Sequence, residues 1–216
     1  YRLKSVAAGT VIRELAYISS AINHARREWG INLSNPVQMV RKPPSPEGRN
    51  RSLNPEEVAK LFLELSPSGR RNHWTKPAVQ LALETAMRRG ELLSLRWQHI
   101  DLERRIAFLP QTKNGESRTV PLSTEAIEIL LSLPRSIEDR IFPIKHYTLD
   151  AAFKKAVRRA GISDFHFHDL RHMAITAMAK KLPNVIELSA VSGHKSLAML
   201  KRYYHPDAQE LAVKLG

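Results

Sequence analysis

The 216-residue chain contains no cysteine, which excludes disulfides, a thiolate nucleophile and any cysteine-ligated zinc site. It also lacks a run of 18 apolar residues, the length that a membrane-spanning helix needs, and it carries no signal-peptide pattern. Acidic residues are scarce, 21 Asp and Glu against 34 Lys and Arg, and the resulting net charge of +13 points to a polyanionic partner. The excess is not a tail: residues 1–50 hold 8 basic and 3 acidic side chains, and residues 51–216 hold 26 and 18. No HExxH sequence is present and no cluster of acids lies near the basic motifs, so the ligand sets of metalloproteases and metal-dependent nucleases are missing. The first residue is Tyr1 rather than Met, and a preceding part of the protein is expected.

What is there reads as helix punctuated by loops. Val11, Ile12, Leu15, Ile18, Ile22 and Ala25 recur at helical spacing between Thr10 and Trp29. From Gly30 to Asn54 the pattern turns loop-like, with Pro36, Pro43, Pro44 and Pro46 among Arg41, Lys42, Arg49 and Arg51. We read residues 1–40 as the end of one helical domain, 41–52 as a basic linker and 53–216 as a second domain. Asn54-Pro55-Glu56-Glu57 is a helix start, an N-cap followed by proline and early acids, for a helix running to about Leu65. Helices are expected over roughly 76–87, 89–96, 124–133, 148–160, 169–181, 184–191, 196–204 and 207–214. Two strand-like runs, Arg105–Leu109 and Ser117–Leu122, flank Lys113-Asn114-Gly115 and predict a hairpin. The fold class expected is mainly α with a small antiparallel β-sheet.

Five features carry chemistry. Arg88 and Glu91 lie three residues apart on a helix, so the carboxylate can orient the guanidinium, although a surface ion pair has the same spacing. Lys113 at a hairpin tip can bring a proton or a charge to a phosphate ester oxygen, or be one more solvated lysine. His168 and Arg171, in His166-Phe-His168-Asp-Leu-Arg171-His172, share a helix face able to grip a phosphate; the competing reading makes His166, His168 and His172 metal ligands. His194 follows Gly193 and precedes Ser196, which reads as the N-cap of a further helix whose N-terminus favours anions. Tyr203, in Lys201-Arg202-Tyr203-Tyr204, sits among cations that would favour its phenolate, yet aromatics beside basic residues also stack on bases or pack in a core.

Taken in order, these residues resemble the tyrosine recombinase (phage integrase) family. Its pattern is an arginine in R-x-x-E, a hairpin lysine, H-x-x-R, G-H, and a tyrosine nine residues after that histidine. Here the positions are filled by Arg88 with Glu91, Lys113, His168 with Arg171, Gly193-His194 and Tyr203. The flanks Gly90-Glu-Leu-Leu-Ser-Leu-Arg-Trp97 and Arg118-Thr-Val-Pro-Leu122 are also similar, while Ala86 stands where many members have glycine and Ser192 where leucine is common. The resemblance covers residues 50–208 and, more loosely, the helix at 10–29 as the end of a core-DNA-binding domain.

The resemblance implies site-specific strand cutting and rejoining through a 3′-phosphotyrosyl bond at Tyr203. Arg88 and Arg171 would hold the phosphate oxygens with His194, Lys113 would protonate the leaving 5′ oxygen, and His168 would take the tyrosine proton or order the phosphate. It implies no metal and no cofactor. The partners would be double-stranded DNA, gripped partly by Arg41, Lys42, Arg49, Arg51, Lys201 and Arg202, and further protomers forming a tetramer on paired sites. A role in a phage or mobile element and a cytoplasmic location on the nucleoid are expected. Rival readings are a type IB topoisomerase-like enzyme and a non-catalytic DNA-binding regulator on the same fold. Tyr204, adjacent to Tyr203, is the alternative nucleophile.

Overall fold

The computed structural model describes residues 2–46, 48–69, 72–111, 115–135, 139–204 and 208–216. The chain divides into two compact units, residues 1–49 and 50–216.

The first unit is built on α1 (Ala8–Glu28). Part of the segment expected to be loop returns to this helix. Asn35 donates to Ser19 Oγ at 2.9 Å and Asn23 Oδ1 at 3.0 Å, and its own Oδ1 accepts from the Val37 amide at the start of a 3₁₀ turn, Pro36–Gln38. A buried asparagine that satisfies its amide on two helix residues fixes the strand of chain that follows, and Val37 is buried beside it.

The second unit is mainly α with one small antiparallel sheet. It opens with α2 (Pro55–Leu65), where Asn54 and Glu57 form a reciprocal capping box with proline at the first helical position. Leu61 and Leu65 of α2 face the core. At the centre lies α3 (Thr75–Thr85), whose Ala78, Val79, Leu81 and Ala82 are fully buried; small residues here let α5 (Thr124–Leu131) and α7 (Phe167–Lys181) approach closely. Helix α3 ends two residues before the expected Met87, because Ala86 adopts a left-handed conformation (φ 51°). Arg88 then caps α4 (Arg89–Ser94).

The sheet has the order β1 (Ile100–Asp101), β2 (Ile106–Leu109), β3 (Arg118–Pro121), all antiparallel. Ala107 pairs with Val120, both buried, while the neighbouring Thr119 and Phe108 face out, the period of two that the hairpin reading required. The two-residue β1 was too short to show alternation in sequence. Beyond α5 come α6 (His146–Arg159), α7, α8 (Val185–Ser192) and α9 (Ala208–Leu215).

One expected helix is not α-helical. Residues 196–204 form two successive 3₁₀ turns, Leu197–Met199 and Lys201–Tyr203, and the Ser196 side chain makes no capping hydrogen bond. Leu200 between the turns is fully buried in a second cluster with Ala86, Ala174, Ile175, Ala179 and Leu188, and Tyr203 and Tyr204 pack against that cluster. Anchoring one leucine against α7 and α8 outweighs continuing a regular helix, since a buried leucine contributes about 2 kcal/mol and short 3₁₀ turns satisfy most of the same backbone groups. Among the described residues no helix is long and apolar enough to cross a membrane.

Candidate active site

The N-terminal turn of α4 presents Arg88. Its backbone N–H donates to Glu91 Oε2 at 2.9 Å, and its Nη1 donates to Glu91 Oε1 at 2.7 Å. Glu91 is 4% exposed and also accepts from Arg118 Nη2 of β3 at 2.8 Å. Burial alone would raise its pKa, but the hydrogen bonds from Arg118 and the Arg88 amide prevail and hold the carboxylate below its ordinary range. Arg118 continues to the end of α8, donating to the Val191 carbonyl at 2.6 Å. Arg118 thus ties β3, α4 and α8 together. In the sequence Arg118 stands only among the similar flanking residues, and its one signal is a basic residue opening a half-buried strand.

Arg171, on the second turn of α7, is 4% exposed. Its Nη1 donates to the Ala86 carbonyl and its Nη2 to the Ser192 carbonyl at 2.6 Å, so the guanidinium is aimed by the two chain reversals that end α3 and α8. Burial, and next the neighbouring Arg88 charge, push Arg171 down to about 10, so it stays cationic at neutral pH. Helix α7 begins at Phe167, two residues earlier than expected, which puts His168 in its first turn. Burial and the Arg171 charge lower the His168 pKa.

His194 is held differently from the sequence expectation. It follows Gly193, the left-handed C-cap of α8, and precedes a 3₁₀ turn rather than an α-helix N-terminus. Ser189 Oγ donates to the His194 carbonyl at 2.6 Å, and His194 Nδ1 lies 2.8 Å from Ser192 Oγ. Burial and then Arg171 and Arg88 push its pKa down to about 4, so the ring is neutral in the free protein.

Tyr203 also departs from expectation. Burial raises its pKa despite the opposing charges of Arg202 and Arg171, so the phenol keeps its proton at neutral pH. Its Oη lies 2.5 Å from Nδ1 of His172, whose ring stacks on the tyrosine at 6.1 Å between centroids and meets His168 edge-on at 5.2 Å. From the sequence His172 is only a candidate metal ligand, although its position four residues after His168 puts both on one helical face. Among the described residues no three His, Asp or Glu side chains converge as metal ligands. Tyr204 instead sends its hydroxyl to the Leu182 carbonyl at 2.7 Å.

Arg88, His168, Arg171, His172, His194 and Tyr203 line one cavity of about 500 Å³. Lys113 lies outside the described residues. Of the other cations, Lys201 is exposed, and Arg202 donates to Asn50 Oδ1 at 3.0 Å with its guanidinium 5.7 Å over the Tyr203 ring. Arg51 is paired with Glu57 and donates to the Ser52 carbonyl, so its charge is largely compensated within the unit. In the first unit Arg41 and Arg49 are exposed, and Lys42 joins Arg26 and Arg27 around a cavity of about 940 Å³.

Such an array can neutralise charge accumulating on a phosphate through buried, preoriented guanidinium groups, with a phenol and neutral imidazoles alongside. The model of the phage integrase family matches residues 51–210. The shufflon-specific DNA recombinase of Escherichia coli is 45% identical over 213 residues, 98% of this chain and 55% of that protein, so the chain spans little more than half the length of this relative. The catalytic domain of bacteriophage HP1 integrase is similar in structure, with a TM-score of 0.60 and 28% identity over 75% of this chain and 92% of that domain. A lambda integrase tetramer bound to a Holliday junction has a TM-score of 0.70 at 24% identity, covering 88% of this chain and 58% of that one, a likeness of fold.

Proposed function

The chain belongs to the phage integrase family, and on that premise we propose that it is a site-specific DNA recombinase that cuts and rejoins strands through Tyr203. The observation that carries this reading is the convergence of Arg88, Arg171, His168, His194 and Tyr203 on a single cavity from α4, α7, the end of α8 and the 3₁₀ turn beyond it. A pure binding protein has no need of a half-buried phenol among phosphate-binding cations.

In this reading Tyr203 Oη attacks the phosphorus, forming a 3′-phosphotyrosyl ester and releasing a 5′-hydroxyl. Arg88 and Arg171 hold the non-bridging oxygens and His194 stands beside one of them, offsetting the charge of the pentacoordinate state. Lys113 protonates the leaving oxygen, as the family resemblance implies. The ester conserves the bond energy, so a 5′-hydroxyl from another duplex restores the phosphodiester without ATP. Double-stranded DNA is the partner and a tetramer on paired sites the working assembly, supported by the DNA-bound tetramer among the fold relatives. The match to the phage integrase family and the likeness to a bacteriophage integrase domain support a role in a phage or mobile element, and a cytoplasmic location on the nucleoid follows from that role.

The test uses a pool of nicked duplexes with a randomised central segment, in buffer containing EDTA. A denaturation-resistant protein–DNA adduct should form and should disappear in Tyr203→Phe while duplex binding persists. Strict dependence on magnesium, or an adduct that survives Tyr203→Phe, would refute the assignment.

A further inference from the structure

The unresolved part of this chemistry is where the proton of Tyr203 goes. Oη cannot become a nucleophile while it keeps that proton, and burial stabilises the neutral phenol. A general base must lie within hydrogen-bond reach of the hydroxyl. Among the described residues one side chain hydrogen-bonds Tyr203 Oη, and it is His172, at 2.5 Å. His168, for which the family resemblance implies either this task or the ordering of the phosphate, borders the same cavity one helical turn earlier.

Resting on the recombinase reading above, we propose that His172 is the general base for Tyr203, and that His168 acts on the phosphate. The two ring planes are 26° apart with centroids at 6.1 Å, so Nδ1 meets Oη through its ring edge, from a helix also anchored by buried Ala174 and Ile175. Burial first, then the proximity of His168, Arg202 and Arg171, disfavours the imidazolium, and Asp169 favours it. His194, across from α7, is likewise neutral. The ring is therefore uncharged at neutral pH, and in the tautomer that carries its proton on Nε2 the phenol Oη–H donates to the Nδ1 lone pair, the arrangement that the proposal requires.

In the forward step the Oη–P bond forms as the P–O5′ bond breaks. The Oη proton moves to His172 Nδ1, and the leaving 5′ oxygen takes a proton from its own general acid, the role given to Lys113. In rejoining, the His172 imidazolium returns its proton to Oη while the incoming 5′-hydroxyl surrenders one to the deprotonated acid. The negative charge gathering on the phosphate offsets the cost of a transient imidazolium among arginines.

The decisive experiment compares wild type, His172→Gln and His172→Asn on two nicked duplexes of the trapped sequence, one normal and one with sulfur replacing the leaving 5′ oxygen. A thiolate leaves without a proton, so only defects in leaving-group protonation are rescued by sulfur. Adduct formation should slow roughly 100-fold in both variants, equally on both substrates, with duplex binding retained. The acid limb of the wild-type rate profile should flatten in the variants. A rate within threefold of wild type, or recovery on the sulfur substrate, would overturn the proposal. Mapping the adduct separates the two levels: attachment at Tyr203 with unimpaired His172 variants removes only this inference, whereas attachment elsewhere removes the recombinase assignment on which it rests.

Discussion

Gly193 is closed against Arg118: a Cβ built on the glycine would stand 2.9 Å from Arg118 Nε and 3.0 Å from its Cδ. The end of α8, which carries His194, is therefore seated directly on the arginine that holds Glu91 and, through it, Arg88. Arg88 and His194 are thus held by one connected arrangement rather than as separate side chains.

Gly193→Ala should consequently both destabilise and slow the protein. The residue has φ 67°, where a side chain costs about 1–2 kcal/mol, and the methyl group must displace Arg118. Denaturant midpoints at constant m should fall accordingly, and adduct formation should drop at least tenfold because Arg118 can no longer hold Glu91 in place.

Glu91→Gln leaves the shape of the arrangement while removing the charge that two arginines share. Hydrogen bonds to charged groups contribute about 1.5–3 kcal/mol, so a loss of about 2 kcal/mol in unfolding free energy is expected. In a double-mutant cycle with Arg118→Met the two losses should be strongly non-additive, since each removes the same contact. Additive losses would mean that Arg118 and Glu91 act independently.

Acid should weaken the free protein through its site histidines. His168, His172 and His194 all have folded-state pKa values below the unfolded value, His194 at about 4. The unfolded chain then binds more protons between about pH 6.5 and pH 4, so stability is fully present above pH 6.5 and falls as the pH drops through that window. Thermal melts from pH 7.5 to 4.5 should show the decline, and His194→Gln should reduce its slope. An unchanged slope in that variant would show that His194 is not buried as a neutral ring.

Binding to duplex DNA should weaken steeply with salt, because cations that meet phosphates displace condensed counterions. Neutralising Lys42 or Lys201 should each reduce the log–log salt slope by about 1 where that side chain meets a phosphate. Neutralising Arg51 should change the slope less, because Glu57 already pairs with it.

Much of this was legible in the chain before any coordinates. The capping sequence at Asn54–Glu57, the helical periodicities and the alternation around the hairpin are local signals, and each corresponds to an observed element. Three departures have a common origin. The segment at 196–204 forms 3₁₀ turns because buried Leu200 is held by α7 and α8, which no local pattern records. His194 is positioned by the left-handed end of α8 and by Ser189 and Ser192, rather than by a following helix. Tyr203 has its pKa raised rather than lowered, since counting nearby cations in a sequence omits the burial that opposes them.

The sequence by itself determined which residue types could meet a phosphate, and in what order, because arginine forks, imidazoles and a phenol are chemical properties of the residues. It could not determine which of them touch. Glu91 and Arg118 are 27 residues apart and His172 and Tyr203 are 31 apart. Those pairs form only when packing of the buried cores has fixed α4, β3, α7 and the turn beyond α8, and the same packing sets the desolvation that raises the Tyr203 pKa beside His172.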